Sequence, residues 1–501
     1  MALASIEKVA TGLICFILLI FSLKRIGHPR DWALVGILSV WFPSLGHIYE
    51  KLAKSLAKND KTFVLKGSFL SKQDVIFTCD PANMHHVMST NFSNYPKGPE
   101  NRNVFDVYGE MLFTADHEKW KSHRKVTNAY FHDQRFNGFS QKVNKEVIEK
   151  ELFPFLDHAA EEALVFDLQD VFQRLMLDSS SILTTGQNHR SLRVGLPYDE
   201  TLEAINIANY QIFVRHILPA KIWKFQKWLG IMGEKKIKKA WRILDDISVE
   251  YMNRRKKEIS STISSQEDMD VVKFSEEDHV VLKSVDASDN LLRDTVKGIL
   301  LAGTDTTATV LSWFFWLILK NPRVEQKIRE EIELYLKQKN GEHGLYTNPE
   351  ELNELMYLHA AIYETMRLYP AAPFTSRKSI QADVFPTGHQ VNPNTTIVMA
   401  YYAVGRMKSI WGEDCLEFKP ERWLSDKGKL IPVQTNKFLA FGTGPRICPG
   451  KELGLNRVKA VAAAIIPKYS FKIMRNKPVM PAACATLYLK DGLIVRVNKI
   501  I

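Results

Sequence analysis

Cysteine is scarce in this chain. The 501 residues hold five, Cys15, Cys79, Cys415, Cys448 and Cys484, odd in number, scattered and with no close pair. That excludes a disulfide framework and implies a reducing compartment for the main body. Gly442 and Gly444 lack a third glycine at the dinucleotide spacing, so no dinucleotide fingerprint stands there. No phosphate loop, His-Glu-x-x-His or Gly-x-Ser-x-Gly sequence occurs either. Acidic residues are the minority, 56 against 67 Lys and Arg, for a net charge of +11. With no helix-turn-helix, zinc spacing or aromatic-basic RNA motif beside it, that charge points to acidic proteins or anionic lipid, not nucleic acid. The hydrophobic fraction of 45% is ample for a large core.

Long apolar runs are also few. The clearest is Val9 to Leu23, closed by Lys24 and Arg25. It is slightly short of the roughly 20 residues a span needs, but Lys8 can snorkel, so Ala2 to Leu23 can cross together. Positive charge follows the run, which keeps the bulk of the chain cytosolic. A signal anchor over 1–27 is expected, with a cleaved signal peptide as the competing reading. His28 to Trp32 follows as a short hinge.

What is present centres on Phe441-Gly442-Thr443-Gly444-Pro445-Arg446-Ile447-Cys448-Pro449-Gly450. A thiolate needs a positive or donor-rich setting to stay ionised. Gly442 and Gly444 permit turns that aim amide N–H groups inward, and Arg446 puts a cation two residues before the sulfur. Gly450 lets a backbone pass close to something flat and large. A lone cysteine is usually a small hydrophobe. Here Phe-x-x-Gly-x-Arg-x-Cys-x-Gly matches at five positions, a coincidence on the order of one in ten thousand per chain. A single thiolate suits an axial ligand to haem iron better than zinc.

Leu291 to Lys320 is the longest helical stretch and apolar on most sides, so a central buried helix is expected. Within it, Ala302-Gly303-Thr304-Asp305-Thr306-Thr307 is a poor helix interior. The Thr306 hydroxyl can take the Ala302 carbonyl and open the helix, and a carboxylate beside a hydroxyl can pass protons. On its own the segment reads equally as a helix loosened for packing. Trp120 and Arg124 share a helix face, as do Glu364 and Arg367 on a helix expected over Glu351–Leu368. From Ala204 to Ile243 aromatic residues interleave with lysines, which suits a membrane-surface helix or an ordinary amphipathic pair with a solvated basic face. Lys61–Cys79 contains β-rich runs, Ser260–Ser288 reads as an acidic surface loop, and Pro481–Val497 as a closing hairpin.

These motifs, in this order, resemble the cytochrome P450 superfamily from about residue 30 to the end. The resemblance implies a mainly α fold with small β-sheets, as one haem-thiolate domain over 28–501 behind the anchor. It implies haem b held non-covalently, since Ala302 stands where many animal fatty-acid hydroxylases carry a haem-esterifying Glu. It assigns Cys448 as the iron ligand, with Phe441 and Gly450 beside it in the haem loop, and Trp120, Arg124 and Arg446 at the propionates. Asp305 and Thr306 become the proton relay. Glu364, Arg367 and Arg422 become a buried structural triad behind the loop. Electrons would come from NADPH through a cytochrome P450 reductase, with Lys437, Lys451, Arg457 and Lys459 as a basic docking face. Residence in the endoplasmic reticulum membrane is implied.

Asn94–Pro99, Asp167–Arg174, Trp313–Trp316 and Gly405–Asp414 look like the plant branch that hydroxylates long-chain fatty acids and alkanes, mid-chain alkane hydroxylases above all. Thr304 stands where that branch usually has Arg, and Gly442, Thr443, Ile447 and Pro449 depart from its loop. Other members of the branch couple phenols of alkaloid precursors, and a haem carrier without turnover is a third reading. Retention of both Asp305 and Thr306 favours hydroxylation. Pocket residues are expected within Glu100–Asp116, Ala208–Ile231, Leu300–Thr307, Ala371–Thr375 and Ala482–Thr486.

Overall fold

Between Lys297 and Lys320 the only charged side chain is Asp305, and that stretch forms the spine of the molecule. The computed structural model describes residues 47–66, 73–262, 289–339, 348–434, 436–475 and 477–500. The expected anchor, the hinge and almost all of the acidic loop lie outside the described residues. Among the described residues, no helix is long and apolar enough to cross a membrane.

The helices that position the site are α1 (His117–His132), α2 (Leu168–Thr185), α3 (Glu200–Ile217), α4 (Ala220–Leu229), α5 (Gly233–Thr262), α6 (Asp289–Lys320), α7 (Met356–Leu368) and α8 (Lys451–Ile465). Their ends follow local chemistry. The Asp167 side chain accepts from the Gln169 amide to start α2, and Gly186 ends it at φ 72°. Asp199 caps α3 in the same way. The spine α6 packs most extensively on α2. Phe172, Leu311, Phe314, Phe315, Ile362 and Ala462 bring α2, α6, α7 and α8 into one core. Trp313 stacks on Tyr369 with ring centroids 3.8 Å apart, and its indole N–H donates to the Leu487 carbonyl at 2.6 Å.

Small sheets flank the helices, two of them with three or more strands. Strands β1 (Thr62–Leu65), β2 (Val75–Thr78), β4 (Thr375–Lys378) and β5 (Thr396–Met399) form a four-stranded sheet in the order β1-β2-β5-β4. Thr62 pairs antiparallel with Thr78, Val75 parallel with Thr396, and Thr375 antiparallel with Met399. Strands β3 (Val165–Asp167), β6 (Tyr469–Ile473) and β7 (Ile494–Lys499) form the second, with β7 in the middle. The result is the expected mainly α architecture with small sheets.

Two sequence expectations need correction. The helix expected over Glu351–Leu368 is two helices, Pro349–Glu354 and α7, separated at Leu355. The carboxylate of Glu331, from another helix, accepts the amides of Tyr357 at 2.7 Å and Leu358 at 2.9 Å and so caps a new start. The closing hairpin is not formed. Pro481 and Leu489 share one isolated bridge, whereas β7 pairs with β6 along five residues. Its alternating burial suits an inner strand, and β3 completes its other edge.

Candidate active site

The glycine-punctuated loop folds as a tight cradle ahead of α8. Gly444 has φ +70°, and a Cβ there would stand 2.0 Å from the Met88 carbonyl oxygen, so only glycine fits. The Cys448 amide donates to the Phe441 carbonyl at 2.9 Å. Cys448 lines a cavity of about 500 Å³ and keeps accessible surface there. Burial raises its thiol pKa, while the Gly450 amide at the start of α8 and Arg124 pull the other way. The cation at the sulfur is therefore Arg124, whose Nη1 also donates to the Ile447 carbonyl at 2.5 Å. Arg446, which sequence spacing placed there, turns elsewhere.

Arg446 Nη2 donates to Asp116 Oδ1 at 2.7 Å and to the Ala115 carbonyl at 2.9 Å, and its guanidinium lies 4.8 Å from the Trp120 ring centroid. Trp120 thus supports Arg446 instead of acting with Arg124. Asp116 also accepts the Lys97 and Gly98 amides, each at 2.8 Å. Lys97 and Arg377 line the same wall, and both reach Thr375 Oγ1, at 2.9 and 3.2 Å. Lys97, Arg124, Arg377 and Arg446 thus all face the cavity, with one carboxylate, Asp116, bonded among them. Arg446 Nε and Nη1 and Arg377 Nε are buried with no hydrogen-bond partner. Desolvation, then the Arg377 charge, lowers the Arg446 pKa to about 10.

Across the cavity, α6 runs as a continuous helix through its run of poor helix formers. The Thr306 hydroxyl donates to the Ala302 carbonyl at 2.7 Å, as expected, but the helix does not break. Thr306 is exposed to the cavity, whereas Asp305 is 1% exposed. Asp305 Oδ2 accepts from Asn209 Nδ2 of α3, Asn209 meets the Tyr488 hydroxyl at 3.1 Å, and Tyr488 also bonds Asp305. Asp305 Oδ1 is buried without a partner. Burial pushes this carboxyl up to about 7, against the lowering hydrogen bonds from Tyr488 and Asn209.

Behind the loop, Glu364 accepts from Arg367 Nε at 2.7 Å and Nη2 at 2.8 Å, from Arg422 Nε at 3.4 Å and from Trp423 Nε1 at 2.9 Å. Arg367 also donates to the Gly405, Cys415 and Glu417 carbonyls. A Cβ on Gly405 would lie 1.9 Å from the Arg367 carbonyl oxygen. The three charged residues grouped from sequence are therefore together in space, with Trp423 as a fourth member.

The family model for cytochrome P450 matches residues 28–493. The chain belongs to the cytochrome P450 family. As a cytochrome P450 it is a monooxygenase that carries haem on a cysteine thiolate, takes NADPH electrons through a separate reductase, and acts with O₂ on a hydrophobic substrate. It is 41% identical over 499 residues to alkane hydroxylase MAH1 of Arabidopsis thaliana, covering 97% of each chain. It is 37% identical to cytochrome P450 86B1 of the same plant, over 93% of this chain and 84% of that one. Noroxomaritidine synthase of Narcissus aff. pseudonarcissus MK-2014 is 33% identical, over 98% and 96%.

The residues present suit haem. A lone cysteine opens onto the cavity, and a buried excess of cations with unpartnered N–H groups calls for the two negative charges of its propionates. Lys97, Asp116 and Arg377 were missed in sequence because their meeting is tertiary. The Asn94–Pro99 stretch, noted only for its likeness to the plant branch, contained Lys97. Asn209 fell within an expected pocket segment without its role being read, and Tyr488 left no local signal at all. Two of the four docking lysines and arginines were misplaced. Arg457 and Lys459 are each 1% exposed. Arg457 donates to Ser180 Oγ and the Met176 and Gly303 carbonyls, and Lys459 to Asn353 Oδ1 at 2.7 Å. All five expected pocket segments contribute to the cavity wall.

Proposed function

We propose that this cytochrome P450 hydroxylates a C–H bond of a long-chain alkane or fatty-acid-like substrate. The observation that carries this is the cavity. Phe105, Met111, Leu112, Phe113, Val310 and Phe374 give it apolar walls, with Cys448 and Thr306 on its surface. The names of its relatives, an alkane hydroxylase among them, support the same class. Haem bound at Cys448 supplies O₂ activation and insertion of one oxygen atom. The chain's part is to position and to move protons. Asp305, poised near neutral pH, is the proton store, and the Thr306 hydroxyl hands protons into the cavity. Arg446, braced by Trp120, and Arg124 would hold the cofactor's propionates, with Arg124 also beside the sulfur and Phe441 and Gly450 in the loop around it. Glu364, Arg367 and Arg422 fix the loop.

The domain over 28–501 sits on the endoplasmic reticulum membrane through the 1–27 anchor. Helix α4 adds a second contact: Phe225 and Trp228 are 56% and 78% exposed, beside exposed Lys221, Lys224 and Lys227. An NADPH-cytochrome P450 reductase docks near Lys437 and Lys451.

Oxidative coupling of a phenolic alkaloid precursor is the second reading. Reaction under ¹⁸O₂ separates the two, because hydroxylation leaves one labelled atom in the product and coupling leaves none. The reduced, CO-treated protein should show a strongly red-shifted Soret band that Cys448→Ser abolishes. An unshifted band in the parent protein would remove the thiolate assignment.

A further inference from the structure

The cavity wall carries polar groups that neither the haem site nor the proton relay uses, and His216 is one of them. His216 lies seven residues after Asn209 on α3, two turns along the same face, on the order of 10 Å from it. Since Asn209 meets Asp305, that face looks toward α6 and the cavity, and His216 lines the cavity. Its ring stands edge-on between Phe105 and Phe374, at centroid distances of 5.5 and 5.2 Å. Nδ1 sits 2.8 Å from the Ile212 carbonyl oxygen. A carbonyl only accepts, so Nδ1 carries the hydrogen, and in a neutral ring Nε2 must then be a bare acceptor. Burial, with the nearby Lys97 charge, lowers the His216 pKa to about 4, which keeps the ring neutral. Nε2 makes no hydrogen bond among the described residues and is not sealed from the cavity.

We propose that His216 is a specificity-determining residue whose Nε2 accepts a hydrogen bond from an O–H or N–H on the substrate. The preferred substrate is then a hydroxyl-bearing member of the long-chain class, not the bare hydrocarbon. An ionised carboxylate offers only acceptors and is not favoured at Nε2. This rests on the long-chain reading above and adds which end group is recognised. The donor is held by one neutral acceptor in an apolar frame, so it fixes the chain's direction in the cavity as well as its affinity.

The test uses full-chain, haem-loaded protein and equilibrium binding, followed by the change in haem absorbance. The probes are an alkane, the 1-alkanol, its methyl ether and the alkanoate, all of one chain length. The expected result is an alkanol that binds roughly three- to tenfold tighter than the ether or the alkane. In His216→Phe that preference should vanish while alkane affinity stays close to the parent's. Equal binding of alkanol and ether by the parent protein overturns the proposal. So does a preference that survives in His216→Phe, or an alkanoate that binds tighter than the alkanol through Lys97. The alkanol–ether pair needs no variant, so the question is decided even if His216→Phe does not fold. If no chain compound binds, the long-chain reading falls by itself. A 4-alkylphenol and its methyl ether then put the same question, and equal affinity overturns the inference while preference for the phenol upholds it.

Discussion

Asp305 shows how much of a residue's chemistry comes from partners far away in sequence. Its neighbours suggested a proton relay because a carboxylate stands beside the Thr306 hydroxyl in a run of poor helix formers. Its environment is set by Asn209, 96 positions earlier, and Tyr488, 183 later. The fold raises its pKa from the usual carboxyl range to about 7, so the folded state favours the protonated form. That contribution to stability is fully present below about pH 4 and is lost as pH rises through 7. Asp305→Asn should therefore gain stability relative to the parent between pH 4 and 8, by on the order of 4 kcal/mol. Thermal melts at pH 5 and pH 8 check this, and identical pH slopes would contradict it. Product formed per NADPH should fall in the same variant and in Thr306→Ala. Tyr488→Phe removes a bond that lowers the Asp305 pKa. The alkaline limb of the coupling-against-pH profile should then move to higher pH. Cys448 was legible from sequence for the opposite reason: its cradle is built within ten residues. Arg457 and Lys459 were misread because charge on a helix normally marks solvent, and only tertiary contact shows Ser180, Gly303 and Asn353 waiting for them.

At the scale of elements, α7 and the haem loop are joined through Glu364. Glu364 and Arg367 are 0% and 3% exposed, and the Arg422 side chain keeps 14%. Removing the buried acid leaves Arg367 charged and uncompensated, at about 3–5 kcal/mol. Removing Arg422 leaves Glu364 still held by Arg367 and Trp423. Glu364→Ala should thus unfold at much lower urea than Arg422→Ala and lose haem first; equal midpoints would argue against the geometry. Gly405→Ala should fail similarly, because its new methyl meets a backbone oxygen that cannot swing away. Helix α6 was legible as a helix because it is apolar on most sides, with Asp305 the only charge between Lys297 and Lys320. The break at Leu355 was not, since its cap is lent by Glu331 from a separate helix. The hairpin failed as an expectation because strand pairing is a choice among distant partners, and β6 offers a longer ladder than the Pro481 bridge.

At the scale of the whole molecule, the membrane reading proposed above would use the exposed aromatic pair on α4 and the amino-terminal run as two points of attachment, and so would set one orientation of the cavity mouth. In bilayers with brominated lipid, Trp228 fluorescence should be quenched, and Trp228→Phe should remove the quenchable component. Quenching unchanged in that variant would place α4 away from lipid. Strand β7 bears on how the molecule comes into being. It is the centre of its sheet, yet it is the last described segment of the chain, and its partner β3 precedes it by more than 300 residues. At synthesis rates of about 5–20 residues per second, β3 leaves the ribosome roughly 15–65 seconds before its neighbour exists. The interval is an opportunity for chaperones and proteases, and premature stop codons that remove β7 should yield a chain degraded before it ever acquires colour.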